Sequence, residues 1–226
     1  MNRITKQSMN KYLLVVITTL SIVLNLKAHS VYIEPNEDGE LIARFGEFGD
    51  DPETSPGFLD QLDGMTAWTI QEKKKPVLLQ PEKKKDRFNL SLSSRHDAEV
   101  QTGFPIMTRG SSPARKPHFY ARWTPSLAKP ADPAMTLDIV PTGNEGEARV
   151  FFRNKPLAGV ELTLFTPDAN DQDLKSDADG FVRFKSNEKG LFMLKLGRYR
   201  EDRVGFDRGK LHQLVSHNCS LTWIQH

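Results

Sequence analysis

His29 has the clearest chemical potential in this sequence, because it directly follows a segment with the features of a signal-peptidase cleavage site. Ala28 is the small residue at the cut, and Leu26 stands two positions before it. Cleavage after Ala28 would make His29 the first residue of the mature chain. An N-terminal histidine offers a metal ion its α-amine and its ring Nδ1 in one chelate, and both groups lose their protons readily near neutral pH. The alternative is that the new first residue is a histidine by coincidence.

A tight metal site needs further ligands, and three other histidines are candidates. His118 begins a predicted strand on which it shares the more polar face with Tyr120, so it is either the second ligand or an ordinary exposed histidine. His217 shares an apolar row with Cys219, which suits either a soft-metal site or a hydrogen-bonded core histidine beside a buried cysteine. His212 precedes or begins the same strand. The predicted metal ligands are therefore His29, His118, His217 and His212.

Residues 1–28 are predicted to be a cleavable signal peptide. A basic region with Arg3, Lys6 and Lys11 precedes an uncharged apolar run over residues 13–24. That run is too short to cross a bilayer comfortably as a helix, so no stable membrane insertion is expected after cleavage. We therefore expect export, with the periplasm as the destination.

The charge and cysteine content of the mature chain limit its partners and its chemistry. Four of the 31 basic residues and none of the 29 acidic residues lie in the leader, so the remaining 198 residues carry 27 basic and 29 acidic side chains, a formal charge of −2. Binding to nucleic acid depends on excess positive charge and is not expected. Cys219 is the single cysteine, which excludes an intramolecular disulfide. The oligomeric state is left open.

The pattern of the mature chain predicts an all-β fold of two β-sandwich domains. Short runs rich in β-branched and aromatic residues alternate with Gly, Pro, Asn and Asp clusters, and no long run has helical periodicity. Twelve strands are predicted, near residues 31–33, 41–45, 67–70, 77–79, 88–91, 118–123, 136–140, 147–152, 160–166, 181–185, 191–196 and 211–223. A single helical turn is expected over Phe58–Leu62, with Ser55 as its cap and Pro56 at its first position.

Three prolines between the two groups of strands predict an interdomain linker. Proline supplies no backbone donor to a sheet, and Pro125, Pro130 and Pro133 fall within ten residues. The expected organisation is an N-terminal β domain over 29–124, a linker over 125–134 and a C-terminal β-sandwich over 135–226. The spacing of the C-terminal strands favours an immunoglobulin-like or transthyretin-like topology.

Several stretches resemble known families. The segments at 150–164, 175–184 and 190–196 are similar to the carboxypeptidase-regulatory type of β-sandwich. Together with 28–35, 43–48 and 116–123, they make the mature chain resemble exported bacterial proteins of unknown function that include periplasmic accessory components of nickel and cobalt uptake. The resemblance implies a mature chain that begins with histidine, followed by an aromatic residue and Glu-Pro, and Tyr32, Glu34 and Pro35 fit that order.

The sequence indicates a non-enzymatic protein. It contains no nucleophile elbow, phosphate-binding loop, dinucleotide-binding glycine motif or zinc-protease helix. The leading hypothesis is a periplasmic protein that binds nickel, cobalt or copper through His29 and supports metal uptake or buffering, with a membrane metal transporter as partner. The alternative is a structural or interaction module that binds a protein or a glycan and whose histidines are incidental.

Overall fold

The computed structural model describes residues 29–70 and 75–226, so the predicted signal peptide lies outside the described residues. A single-turn 3-10 helix covers Phe58–Gln61, and the other elements are strands. The strands are β1 (Ser30–Pro35), β2 (Glu40–Gly46), β3 (Thr66–Ile70), β4 (Pro76–Leu79), β5 (Glu82–Lys83), β6 (Phe88–Ser93), β7 (Ala98–Gly103), β8 (Arg115–Trp123), β9 (Leu137–Pro141), β10 (Glu147–Phe152), β11 (Lys155–Pro156), β12 (Glu161–Phe165), β13 (Gln172–Lys175), β14 (Phe181–Arg183), β15 (Gly190–Asp207) and β16 (Lys210–Gln225). The all-β prediction is confirmed.

The largest sheet has eight strands in the order β13-β12-β15-β16-β8-β7-β3-β4. Its centre is a parallel pair, β8 and β16, whose register runs from Arg115 opposite Leu214 to Trp123 opposite Thr222. This pair joins strands from both predicted domains into one continuous sheet. The predicted linker lies against the body of the protein, since Leu127 is buried in the core and the backbone N–H of Ala131 donates to the carbonyl of Pro141.

A four-stranded sheet, β1-β2-β6-β5, covers one face of the large sheet. Alternation along β8 directs Phe119 and Trp123 to this side, where they pack with Ile33 and Phe45 in one hydrophobic core. Hydroxyl groups of β16 also contact β1 on this side, and the Ser220 Oγ donates to the Val31 carbonyl at 2.7 Å. The strand that follows His29 is therefore fixed against the centre of the molecule.

A second layer, made of β9, β10, β11 and β14, covers the opposite face. Tyr120 and Trp223 contribute to this core together with Ile139 and Val150 from the covering layer. The face of β8 that was predicted to be the more polar is thus largely buried, and Arg122 is 1% exposed. The alternation of apolar and polar residues predicted only one face of β8 to be buried, because the other face has aromatic, charged and imidazole side chains.

The buried charge of Arg122 is balanced by carboxylates from neighbouring strands. Its Nη1 donates to Glu99 Oε1 at 2.7 Å, and its Nε and Nη2 donate to the two carboxylate oxygens of Asp138 at 3.1 and 2.8 Å. Among the described residues, the second oxygen of Glu99 has no hydrogen-bond partner. The cluster therefore places two acidic groups around one cation in a dry environment, where a full second negative charge is unfavourable.

Two local predictions were wrong in their details. The helical turn begins at Phe58 after Gly57, and the Ser55 hydroxyl donates to the Asp60 carboxylate at 2.8 Å instead of capping the backbone. Strand β15 continues eleven residues past its predicted end at Leu196, to Asp207. With β16 it forms a long hairpin, and Val204 and Phe206 are exposed in its outer part.

Candidate metal site

His29 lies directly before β1, and two aromatic rings position its imidazole. Ser30, the next residue, pairs with Gly46, which places His29 beside the end of β2. The His29 ring centroid lies 5.4 Å from that of Phe45 and 6.4 Å from that of Phe58. The imidazole thus rests on an apolar wall at the edge of the core, and 41% of its side chain remains exposed to solvent.

The Glu53 carboxylate completes the environment of His29. Its Oε1 accepts a hydrogen bond from His29 Nε2. The acid-rich loop between β2 and the 3-10 helix supplies this residue, and the backbone N–H of Glu53 donates to the Phe45 carbonyl at 2.8 Å. One residue, Phe45, therefore fixes both the imidazole, through its ring, and the carboxylate, through its backbone. Sequence reasoning did not find Glu53, because a separation of 24 residues through an irregular loop leaves no periodic signal.

His118 and His217 lie together on the opposite face of the large sheet. They are register partners across the β8–β16 pair, and their rings are stacked at 6.1 Å with an interplanar angle of 23°. The side chain of Phe119 lies on the other face of the large sheet, where its ring packs against that of Phe45. The Phe45 ring in turn contacts the imidazole of His29. The structure therefore brings His118 and His217 together and does not bring His29 together with either of them.

Both ring nitrogens of His217 are engaged in hydrogen bonds. Nδ1 accepts from the Tyr120 hydroxyl at 3.1 Å, and Nε2 donates to Glu201 Oε2 at 3.2 Å. Burial is the main reason that the pKa of His217 is lowered, and burial with the nearby His217 lowers the pKa of His118 to about 4. Both imidazoles are therefore neutral near pH 7. The bonds of His217 are those expected of a core histidine.

His212 and Cys219 occupy separate positions on β16. The His212 Nδ1–H donates to the Leu214 carbonyl at 3.1 Å, and a Cβ atom at the register partner Gly205 would lie 2.7 Å from its Nε2. Cys219 is buried in the core with Leu221, and burial raises the pKa of its thiol well above the ordinary value. The thiol is thus held in its neutral form, which is a poor metal ligand.

Within residues 29–70 and 75–226, no three His, Cys, Asp or Glu side chains converge in a geometry that would hold a metal ion. In the same part of the chain, no helix has the length and apolar character of a membrane span. The chain matches no protein-family profile and no curated protein. The candidate site consists of His29 and the residues that contact its imidazole, which are Glu53, Phe45 and Phe58.

Proposed function

We propose that this is an exported, non-enzymatic periplasmic protein that binds nickel, cobalt or copper through His29 after removal of residues 1–28. In this proposal it supports metal uptake or buffering together with a membrane metal transporter, and its C-terminal half has an immunoglobulin-like or transthyretin-like topology. One observation carries the metal proposal, namely the hydrogen bond between His29 Nε2 and the Glu53 carboxylate.

That hydrogen bond selects the tautomer that a chelate requires. A neutral imidazole with its proton on Nε2 carries its lone pair on Nδ1, the nitrogen that can close a chelate ring with the α-amine of the same residue. Histidines that bind metals commonly donate their other N–H to a carboxylate, which orients the ring and raises its basicity. Glu53 takes this role for His29, and Phe45 and Phe58 restrict rotation of the ring.

The two nitrogens predict an order of affinity. The affinity of a nitrogen site for divalent ions increases from cobalt to nickel to copper. Binding of nickel or cobalt at His29 therefore depends on which ion is available to the protein. Water molecules would complete the coordination shell and could be exchanged for a transporter's ligands. A site of this kind suits transfer of an ion better than permanent storage.

Calorimetric titration of the mature protein with Ni²⁺, Co²⁺ and Cu²⁺ tests the proposal. We expect one ion per chain, and a large loss of affinity in both the Nα-acetylated protein and His29→Ala. Glu53→Gln should weaken binding by about 10- to 100-fold, because the neutral amide oxygen is a weaker acceptor for the His29 N–H than the carboxylate, although no ligand is removed. The exposed residues His96 and Glu37 provide matched controls, and His96→Ala and Glu37→Gln should bind as the unaltered protein does.

Equal affinities for the unaltered, acetylated and His29→Ala proteins would reject the proposal. An intact-mass measurement of the exported protein must also show that the chain begins at His29. A chain that begins at Ala28 would place the amine and the imidazole on different residues, and one that begins at Ser30 would lack His29, so either result would exclude the chelate.

A second candidate function, an interaction module, is supported by the outer part of the β15–β16 hairpin. Val204 is 68% exposed, Phe206 is 76% exposed and their neighbour Leu211 is 46% exposed. Clustered exposed apolar side chains are typical of protein-binding surfaces. If this is the main function, Phe206→Ser should abolish recovery of a defined envelope partner while metal affinity stays unchanged. Recovery of the same partner with the variant would reject it.

A further inference from the structure

An apolar cavity of about 270 Å³ opens beside His29. Four of its ten lining residues are phenylalanines, namely Phe45, Phe58, Phe104 and Phe119. Phe45 organises the wall, since its ring centroid lies 5.7 Å from that of Phe104 and 5.4 Å from that of Phe119, the latter in edge-to-face geometry. Phe58 and Met107 at the rim are 52% and 41% exposed. The cavity therefore presents aromatic faces and edges to whatever enters it.

Two arginines, Arg115 and Arg198, line the same cavity. Arg115 contacts only weak, neutral partners, with Nη1 3.4 Å from Ser216 Oγ and Nη2 3.6 Å from Met107 Sδ. Within the described part of the chain, neither arginine forms a salt bridge. Arg44 and Arg122, by contrast, each bind two carboxylates. Burial and then the charge of Arg198 lower the pKa of Arg115, which is half-buried, while Arg198 is exposed at the cavity.

A β-bulge aims Arg198 at the cavity. The register between β15 and β16 shifts between Leu196 and Tyr199, and Arg198 adopts a left-handed backbone conformation with φ of 58°. Its backbone N–H donates to the Asn218 side chain at 3.0 Å, which holds the bulge against the cavity wall. β-Bulges often redirect a side chain at a functional site. A left-handed backbone conformation is energetically unfavourable for arginine and persists only where the surrounding structure holds it.

We propose that this cavity binds a small aromatic monocarboxylate, whose ring packs among the phenylalanines and whose carboxylate lies between Arg115 and Arg198. Guanidinium groups bind carboxylates through two parallel hydrogen bonds, and a carboxylate relieves the repulsion between the two cations. The volume corresponds to about nine water molecules, which suits a ligand of roughly ten non-hydrogen atoms such as phenylacetate. Binding does not require a metal ion at His29.

Titration of the mature protein with phenylacetate in the presence of EDTA tests the proposal. We expect saturable binding with a Kd below about 1 mM, and binding of the neutral isostere phenylacetamide at least roughly tenfold weaker, because the amide forms no ion pair. The substitutions Arg115→Gln and Arg198→Gln should each weaken phenylacetate binding by a similar factor. Arg109→Gln is the matched control, since Arg109 is exposed on the same loop as Met107 and does not line the cavity.

Met107→Trp provides a second measurement that leaves both arginines in place. A larger side chain at the rim should narrow the entrance and weaken phenylacetate binding, while thermal unfolding reports whether the variant is folded. The absence of saturable binding, equal affinity for phenylacetamide, or unchanged affinity in both arginine variants would each overturn the proposal. Because the titration excludes metal, its failure is distinguishable from a failure of metal binding at His29.

Discussion

The buried carboxyl group of Glu99 should make the stability of this protein fall as the pH rises from about 4.5 to about 7. Burial raises the pKa of Glu99 from 4.5 to about 7, because the charge of Arg122 only partly opposes it and the charges of Asp138 and Asp97 raise the pKa further. Between these values the folded protein holds a proton that the unfolded chain has released. The folded state then binds more protons than the unfolded state, so the free energy of unfolding decreases with pH.

The size of this effect follows from the difference between the two pKa values. The difference between a pKa of 4.5 and one of about 7 corresponds to roughly 3 kcal/mol of stability, which is lost progressively from pH 4.5 and is fully lost above about pH 7. Glu99 is completely buried, so solvent screening does not reduce this figure. Glu99→Gln keeps a carbonyl oxygen that can accept from Arg122 and removes the titration. The variant should be more stable than the unaltered protein at pH 8 and similar to it near pH 4.5.

Urea unfolding of both proteins between pH 4.5 and pH 8.5 measures this difference. Subtracting the two curves cancels the contributions of the other ionisable groups and isolates that of Glu99. Glu145→Gln changes the same functional group at an exposed position and should reproduce the unaltered curve. A difference between Glu99→Gln and the unaltered protein that does not vary with pH would refute the reasoning, because Glu99 would then be ionised in the folded state throughout the range.

Two further predictions concern the core and a turn. Cys219, which is 2% exposed and has a raised pKa, should react with a thiol reagent much more slowly in native buffer than in the urea-unfolded protein, and equal rates would contradict its placement. Gly180→Ala should destabilise the fold by about 2–3 kcal/mol, because the residue has φ of 82° and its new Cβ atom would lie 2.8 Å from the Val150 carbonyl oxygen. Gly110→Ala, with φ of 56° and open space around it, should lose only about 1 kcal/mol in the same denaturation assay, and equal losses would show that the contact is unimportant.

The strands that sequence patterns predicted are those with short runs of apolar, β-branched and aromatic residues. Alternation along 160–166 identified β12, and the aromatic pattern at 118–123 identified most of β8. Strand β7 was missed, because Glu99 stands at one of its buried positions and contradicts an apolar row. Its burial depends on Arg122, a partner 23 residues away that no local pattern reveals.

The outer part of β15 was missed for a different reason. Residues 197–207 are mostly charged or small and have no apolar periodicity, so their own sequence does not favour a strand. Pairing with β16 fixes them, since Tyr199 lies opposite His217 and Phe206 lies opposite Leu211. A strand that owes its conformation to its neighbour cannot be recognised from its own residues.

For the candidate site, residue type identified His29, and tertiary structure supplied its surroundings. The leader pattern singled out His29, but its acceptor Glu53 and the cavity arginines Arg115 and Arg198 come from segments that are distant in sequence. His118 and His217 were grouped with His29 because all are histidines. The large sheet separates them, since His29 packs on one face and the stacked pair lies on the other.

This separation also ranks the histidines as metal ligands. An ion at His217 would have to replace its bond with the Tyr120 hydroxyl or its bond with the Glu201 carboxylate, and either loss leaves a buried polar group without its partner. An ion at His29 displaces only protons from the amine and leaves the Glu53 bond in place, where it orients the ring. The first equivalent of metal should therefore bind at His29, and His118 and His217 should contribute mainly to packing between β8 and β16.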